Sequence, residues 1–232
     1  MVKKKAIILC SGGLDSVVTA HGVASKYDYK ELIILFFNYG QKSLVCEREC
    51  SQQCADDFGG RFVEVELKWL GEIYNSLINK KGVVKKLEKR NLKDTKKASE
   101  EFYVPCRNTV FLVHALALAE SIFIKDGLNS DIFVGFKCEG GEGYPDTTKK
   151  FVKEINQLSK IGCSGDFKII APLISRDKED IIRLGEKLGV DFKKTFSCYV
   201  SNTKQCGSCL ACQLRKAGFY WAGVEDPTDY SS

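Results

Sequence analysis

AIILCSGGLDS, residues 6–16, decides the fold of this chain. Its first five residues are an apolar run of the kind that a buried parallel strand uses, and residues 17–25 have a helical pattern. The two glycines between them permit a tight turn that approaches a ligand closely, and Ser16 is expected to cap the helix. Because the first N–H groups of a helix have no partner within it, the turn is predicted to bind an anion.

The segments that follow alternate between strand and helix patterns. Strands are predicted at residues 31–37, 61–67, 131–136 and 168–173, and helices at residues 46–58, 110–123, 151–161 and 177–189. The strict alternation in residues 61–67 indicates a strand nearer the edge of the sheet. Strands joined by helices favour parallel pairing with right-handed crossovers. The predicted fold class is therefore α/β, an open, mostly parallel sheet with helices on both faces.

Length and composition favour one large domain with a small appendage. The 232 residues suffice for a domain over residues 1–190 and a C-terminal region over residues 191–232. No apolar stretch approaches the length of a membrane span, so neither secretion nor membrane insertion is expected. Eleven cysteines would indicate a disulfide scaffold in a short secreted chain, but this pattern predicts a reduced, cytoplasmic protein.

The positive charge of the chain is concentrated in one segment. Lys80–Lys97 contains nine Lys/Arg against two acidic residues, a local charge of +7, so the rest of the chain sums to −2. A solvated insert is the default interpretation, and a docking patch for an acidic protein partner is the alternative. An extended nucleic-acid track is not expected, although an RNA-binding relative using this insert and the cysteine tail is a further hypothesis.

The C-terminal region has the spacing of a metal site. Cys206, Cys209 and Cys212 follow a C-x2-C-x2-C pattern, and Cys198 lies eight residues upstream. Four thiolates suit a structural Zn²⁺ with no open coordination position, and an iron–sulfur cluster is the main rival. A second set, Cys46, Cys50 and Cys54, recurs every four residues on a predicted helix. It is either a soft-metal site or, as favoured, a face of small buried residues.

Two cations are expected to contact phosphate. Arg107 stands at the start of the long apolar helix that follows Pro105, and Asn108 or Thr109 is expected to cap that helix. The alternative role of Arg107 is to satisfy nearby carbonyl groups. Lys178 lies in the first turn of another helix, where a cation is unfavourable unless an anion compensates it.

The glycine loop matches neither the Walker loop nor the dinucleotide fingerprint. It resembles the SGGxDS loop of the N-type ATP pyrophosphatases, which implies an α/β fold of the HUP, adenine nucleotide alpha hydrolase-like type. In that resemblance the loop binds the pyrophosphate of ATP, and Asp15 is a magnesium contact. The residues implied are Ser11, Gly12, Gly13, Leu14, Asp15 and Ser16.

Further motifs give a more specific resemblance that runs from Ala6 to Phe219. The loop, YGQ at residues 39–41, YVPCRN at 103–108, GYPD at 143–146 and the four-cysteine ending together resemble the QueC/ExsB family of 7-cyano-7-deazaguanine synthases. That family implies ATP-dependent conversion of 7-carboxy-7-deazaguanine and ammonia to the nitrile through an amide. It also implies a C–N ligase of queuosine biosynthesis, bound Zn²⁺, Mg²⁺ with ATP, and a homodimer.

The resemblance also implies roles for individual residues. Asp15, Arg107 and Lys178 are the expected catalytic residues. The expected contacts to the 7-deazaguanine substrate are Tyr39, Gln41, Asn108, Gly143, Tyr144 and Asp146.

Two departures from the family pattern support a runner-up interpretation. The family usually has Cys-Arg directly after GYPD, whereas Thr147 and Thr148 stand here. The basic insert is also unusual for the family. Both differences favour a QueC-like enzyme that stops at the amide, or that joins the activated substrate to an amine on a partner protein, as in anti-phage systems.

Overall fold

A computed structural model of the chain describes residues 4–79, 86–87, 92, 99–137 and 144–231. Gly143 and most of the basic insert lie outside the described residues. The strands are β1 (Lys5–Leu9), β2 (Leu32–Asn38), β3 (Arg61–Glu66), β4 (Ser130–Val134) and β5 (Lys168–Ile170). The helices are α1 (Leu14–Lys26), α2 (Leu44–Asp57), α3 (Lys68–Glu72), α4 (Arg107–Asp126), α5 (Lys149–Gly162), α6 (Lys178–Lys187) and α7 (Leu210–Ala222), with 3-10 turns at Pro145–Thr147 and Phe192–Lys194.

The five strands form one sheet in the order β3-β2-β1-β4-β5. All four pairs are parallel, so the predicted α/β class and the edge position of β3 are confirmed. From β1 the chain moves outward through β2 to β3, then returns to the other side of β1 at β4. Ligands of such sheets bind where the order reverses, at the carboxyl ends of the strands, here those of β1 and β4.

Side chains alternate between the two faces of the sheet, and each face has its own helical layer. Ile7, on one face, shares a core with Leu112 and Ala115 of α4 and with residues of α5. Its neighbour Ile8, on the other face, shares a core with residues of α1, α2, α6 and α7. The strands are therefore buried on both sides, as their continuous apolar sequences predict.

Helix α4 is long and apolar enough to cross a membrane by length and composition alone, so the expectation that no apolar stretch approaches that length is wrong. However, Leu112, Ala115 and Ala119 have no exposed surface, because they pack against the sheet. Its apolar character is thus that of a core helix.

The predicted caps of two helices are wrong. Helix α1 begins at Leu14, with extended Gly13 as its N-cap residue and no side-chain cap. Ser16 lies inside the first turn, where its Oγ donates to the Gly13 oxygen and accepts from the Ser11 N–H. Helix α4 begins at Arg107, because Cys106 adopts a left-handed conformation (φ 55°) that turns the chain into the helix. Asn108 is therefore already helical and does not cap it.

The C-terminal region is joined to the sheet domain by backbone and core contacts. The Phe196 N–H donates to the Gly12 oxygen at 2.9 Å, and Phe219 of α7 packs into the core beside α6. Arg215 is 1% exposed and its guanidinium binds Thr195 Oγ1, the Phe192 oxygen and Asp226. This buried cation fixes α7 against the segment that leads to Cys198.

Candidate functional site

A large cleft of about 1190 Å³ opens at the carboxyl ends of β1, β2 and β4. Its walls include the glycine loop, the residues that follow β2, the start of α4, the turn at Tyr144–Thr147, and parts of α6 and α7. Most of the segments expected to carry function thus lie on one cleft, as the parallel sheet requires.

The glycine loop is held in place by its own hydrogen bonds and by two close backbone approaches. Gly12 has φ +70°, and a Cβ there would lie 2.5 Å from the Glu47 oxygen of α2. From the other side, a Cβ on Gly135, just after β4, would lie 3.0 Å from the Ser16 nitrogen. The loop is therefore set between α2 and the end of β4, and its free N–H groups open at the start of α1.

Asp15 and Lys178 form an ion pair at the mouth of the loop. Lys178 Nζ lies 2.8 Å and 2.7 Å from the two carboxylate oxygens of Asp15. Asp15 is the anion that compensates a cation in the first turn of α6. Both predicted residues line the cleft, so an ammonium and a carboxylate stand together beside the anion-binding turn.

Gly218 of α7 determines the path of the Lys178 side chain. A Cβ on Gly218 would lie 2.3 Å from Lys178 Cγ, so only glycine leaves room for the lysine stem between α6 and α7. The sequence analysis did not identify Gly218, since its effect depends on a helix 40 residues away.

The YGQ segment after β2 forms a rigid turn beside the loop. Gln41 accepts from the Tyr39 N–H at 3.0 Å, and its amide group donates to the Phe37 oxygen and to Glu47 Oε2, both at 3.0 Å. Ser43 Oγ donates to the other Glu47 oxygen at 2.6 Å. Gln41 is 4% exposed, so the geometry gives it this structural role, and its expected substrate contact stays a prediction.

Arg107 lies beside Tyr39 of this turn. Its Nη1 donates to Tyr39 Oη at 3.3 Å, and its guanidinium stands 5.7 Å from the centre of the Tyr39 ring. Burial raises the pKa of Tyr39 to about 12, and the nearby Arg107 opposes that rise. Arg107 thus presents a positive charge to the cleft, and its expected contact with phosphate stays a prediction.

Asn108 and Asp146 bind each other. The Asn108 N–H donates to Asp146 Oδ2 and its side-chain amide donates to Oδ1, both at 3.1 Å. Both residues are less than 10% exposed. The pair links the first turn of α4 to the Pro145–Thr147 turn, and the expected substrate contact of either residue stays a prediction.

Two tyrosines form a flat aromatic surface in the cleft. The rings of Tyr103 and Tyr144 stack with centroids 5.3 Å apart and planes 20° apart, and Tyr144 Oη donates to the Ser99 oxygen. Both line the cleft. Such a surface suits a planar heterocycle.

Thr148 stands where the family usually has arginine. Its side chain caps α5 by accepting a hydrogen bond from the Phe151 N–H.

The four tail cysteines converge as predicted. The Sγ atoms of Cys198, Cys206, Cys209 and Cys212 all lie within 4.8 Å of one another. Four thiolates at about 2.3 Å from one ion are separated by about 3.8 Å, close to the 3.9 Å between Cys198 and Cys209. The N–H groups of Ser208 and Cys209 point at Cys206 Sγ, as they would at a thiolate. The donor set therefore fits a metal ion held by protein ligands alone.

The helical cysteines do not form a second cluster in the part of the chain that the structure describes. Cys46 Sγ donates to the Thr203 oxygen, and Cys54 hydrogen-bonds Cys10 beneath the loop. The favoured interpretation, small residues on a packed helical face, agrees with the burial of Cys46 and Cys54.

Glu47 and Tyr103 line the cleft, although neither was predicted from the sequence to be a site residue. Glu47 is the acidic residue in the first turn of α2, the helix that follows the YGQ turn. Its place near the carboxyl end of β2 could therefore have indicated a cleft residue. Tyr103 is the first residue of the YVPCRN motif, but its stacking with Tyr144 depends on the tertiary structure and was not predicted.

Comparisons with known proteins agree with these motifs. A family model described as "Queuosine biosynthesis protein QueC" matches residues 5–223. The chain is 36% identical over 232 residues to a 7-cyano-7-deazaguanine synthase of Methanosphaera stadtmanae, covering 99% of each chain. It is 37% identical over 236 residues to the enzyme of that name from Syntrophus aciditrophicus, covering 97% of this chain and 96% of that one.

Solved structures show a weaker likeness. The U34-tRNA thiolase NcsA from Methanococcus maripaludis, with its [4Fe-4S] cluster, gives a TM-score of 0.43 at 15% identity, covering 93% of this chain and 63% of that chain. A 4-thiouridine synthetase in complex with RNA and ATP gives 0.46 at 19%, covering 81% and 41%. Likenesses of this size carry no functional argument.

Proposed function

The chain belongs to the QueC family of queuosine biosynthesis proteins, and from this membership we propose that it uses ATP to convert 7-carboxy-7-deazaguanine and ammonia to 7-cyano-7-deazaguanine. The observation that carries the proposal is the anion-binding loop with its Asp15–Lys178 pair, set in one cleft with Arg107 and an aromatic surface. A loop for pyrophosphate and a flat surface for a heterocycle are the two parts that such a reaction needs.

The first step activates an unreactive acid. In our proposal a carboxylate oxygen of the substrate attacks the α-phosphate of ATP, and pyrophosphate leaves into the N–H groups of the loop. Lys178 and Arg107 offset the charge that develops on the leaving group. Mg²⁺ bound with ATP would add positive charge there, and Asp15 is the carboxylate placed to contact it.

The remaining steps introduce nitrogen. Ammonia attacks the acyl-adenylate, AMP leaves, and an amide is formed. A second adenylation, at the amide oxygen, followed by loss of AMP gives the nitrile. No covalent intermediate on the protein is required, so the enzyme would be a C–N ligase that forms AMP and pyrophosphate.

We further propose that Cys198, Cys206, Cys209 and Cys212 hold Zn²⁺. Four protein thiolates leave no coordination position for substrate, so the ion would stabilise the C-terminal region and take no part in the reaction. The spacing of the sulfur atoms, close to that expected around a single ion, supports Zn²⁺ over a cluster.

One incubation tests the main proposal. Pure protein is mixed with ATP, Mg²⁺, 7-carboxy-7-deazaguanine and ammonium, and the products are identified by mass. We expect nitrile with AMP and pyrophosphate. Formation of ADP, or no acid-dependent consumption of ATP, would contradict the proposal.

The same products test the runner-up, which Thr147 and Thr148 favour. Thr148 is engaged as the cap of α5 and supplies no cation at the position where the family usually has arginine. Accumulation of amide, or turnover only when a protein amine is supplied, would select an enzyme that omits the nitrile-forming step.

A further inference from the structure

Glu47 lines the cleft beside the glycine loop. Its backbone oxygen lies against Gly12, so α2 places this residue directly beside the turn proposed for pyrophosphate. Glu47 lines the cleft, and Arg107 lies near enough to lower the pKa of its carboxyl group. The region between the loop and Arg107 is where the acyl-adenylate of the proposed reaction would form.

Two neutral donors hold the carboxylate in one orientation. Ser43 donates to one oxygen at 2.6 Å and Gln41 to the other at 3.0 Å. Gln41 is fixed in turn by the backbone at Phe37 and Tyr39. Since a carboxylate oxygen has two lone pairs, each retains one acceptor position. None of these bonds neutralises the charge of Glu47.

The charged and titratable neighbours of Glu47 come from three elements. Arg107 of α4 lowers its pKa, whereas burial, the largest effect, raises it. Tyr39 lies at the end of β2, and Cys46 and Cys50 lie on α2 itself. The net direction is a raised carboxyl pKa, which makes Glu47 a better proton acceptor than an exposed glutamate.

The proposed reaction needs such an acceptor. At neutral pH ammonia is present mostly as ammonium, which has no lone pair with which to attack a carbonyl carbon. We propose, on the basis of the proposed function, that Glu47 is the general base that takes a proton from ammonium as it enters the cleft. The nitrogen lone pair then forms the C–N bond, and the C–O bond breaks with its electron pair leaving on AMP. The attached nitrogen loses a second proton to solvent.

The variant Glu47→Gln separates this role from the others. Pyrophosphate exchange into ATP, measured with the acid and without amine, reports adenylation and should be kept within about threefold. Amide formation from ammonium should fall roughly 100-fold or more. Hydroxylamine is largely unprotonated at neutral pH and needs no base, so its reaction should be almost unchanged. Glu49→Gln, an exposed residue on the same helix, is the matched control.

Three outcomes would overturn the assignment. Equal loss with ammonium and hydroxylamine would show that Glu47 does not act on the proton. Loss of exchange, with a higher KM for the acid, would make it a substrate-binding residue. Unchanged turnover with ammonium would give it no role. If the wild-type protein itself shows no acid-dependent exchange, the proposed function fails instead.

A measurement on the wild-type protein does not depend on how the variant folds. With Glu47 as base, kcat/KM for total ammonium should level off once Glu47 is ionised, and should not follow the concentration of free ammonia. Without a base, it should rise about tenfold per pH unit with the concentration of free ammonia. The steep rise would contradict the proposal.

Discussion

Gly12 combines a conformational requirement with a packing requirement. Its φ of +70° disfavours any side chain, and a Cβ would lie 2.5 Å from a backbone oxygen that cannot move freely. Gly59 shares the conformation, with φ +59°, but has open space around it. Alanine substitutions at the two glycines therefore distinguish the free-energy cost of a left-handed backbone from the cost of the steric contact.

We expect Gly59→Ala to lower the free energy of unfolding by about 1–2 kcal/mol, the cost of a left-handed residue. Gly12→Ala should lower it further, because α2 must move, and should also weaken ATP binding. Urea denaturation and nucleotide titration measure the two effects. Equal losses of stability in both variants would show that the contact with Glu47 has no cost.

Ser11 and Asp15 should be required for the release of pyrophosphate. Ser11→Ala removes a hydroxyl from the loop, and Asp15→Ala leaves Lys178 without this carboxylate partner. We expect pyrophosphate release to be abolished in either variant, with Asp166→Ala, an exposed residue before β5, as the control. Normal release in either loop variant would remove the loop from the mechanism.

Several of the predicted site residues lie on one cleft, for a physical reason. The loop and Lys178 follow from rules about helix starts, which depend on neighbours within one turn. Glu47 escaped because its role depends on Gln41, Ser43 and the approach of α2 to Gly12. The cap predictions failed for a similar reason. The helices begin directly after Gly13 and Cys106, so Ser16 and Asn108 lie inside them and cannot cap them.

At the scale of elements, α7 and its preceding turn are the parts that depend on the cysteine cluster. Cys209 is the N-cap residue of α7 and is 1% exposed. Cys209→Ser should reduce bound zinc from about one per chain and lower the thermal midpoint by several degrees, because binding of a structural ion contributes to folding. Metal analysis and calorimetry test this, with Cys163→Ser as control. A metal-free variant of unchanged stability would contradict a structural site.

The strands show why boundaries are harder to predict than elements. The predicted strand at residues 168–173 ends at Ile170, two residues before Pro172, which has no N–H for the ladder. The strand predicted to reach residue 136 ends at Val134, since Gly135 leaves the sheet to touch the loop. The first effect is local, whereas the second needs the tertiary structure.

At the scale of the whole molecule, the described part of the basic insert is tied to both functional regions. The Leu87 N–H donates to the Ser208 oxygen beside the cysteine cluster, and Leu92 lines the cleft. The insert therefore contributes more than charge, although most of its residues lie outside the described part of the chain.

We expect two changes to the insert to differ. Replacing the nine Lys/Arg of the insert by Gln should leave turnover of the small substrates within about twofold. The rest of the chain has a net charge of only −2, so it does not depend on the positive charge of the insert for balance. Deleting residues 80–97 should lower turnover, since it removes Leu92 from the cleft wall. Steady-state kinetics of both variants measure this. A large loss in the Gln variant would assign a direct role to the charges.

The parallel topology made the convergence of the loops predictable. The loops after β1, β2 and β4 had to meet at one edge of the sheet. The order β3-β2-β1-β4-β5 could not be predicted, because the pattern of each strand does not state on which side it joins the sheet.

The hydrogen bond from the Phe196 N–H to the Gly12 oxygen connects the cysteine cluster to the glycine loop. Binding of the proposed metal ion is therefore expected to affect catalysis as well as folding. Only Ser197 separates Phe196 from Cys198, so loss of an ion from the cysteine cluster is expected to disturb the glycine loop early. We therefore expect removal of the proposed ion to lower activity before the sheet unfolds.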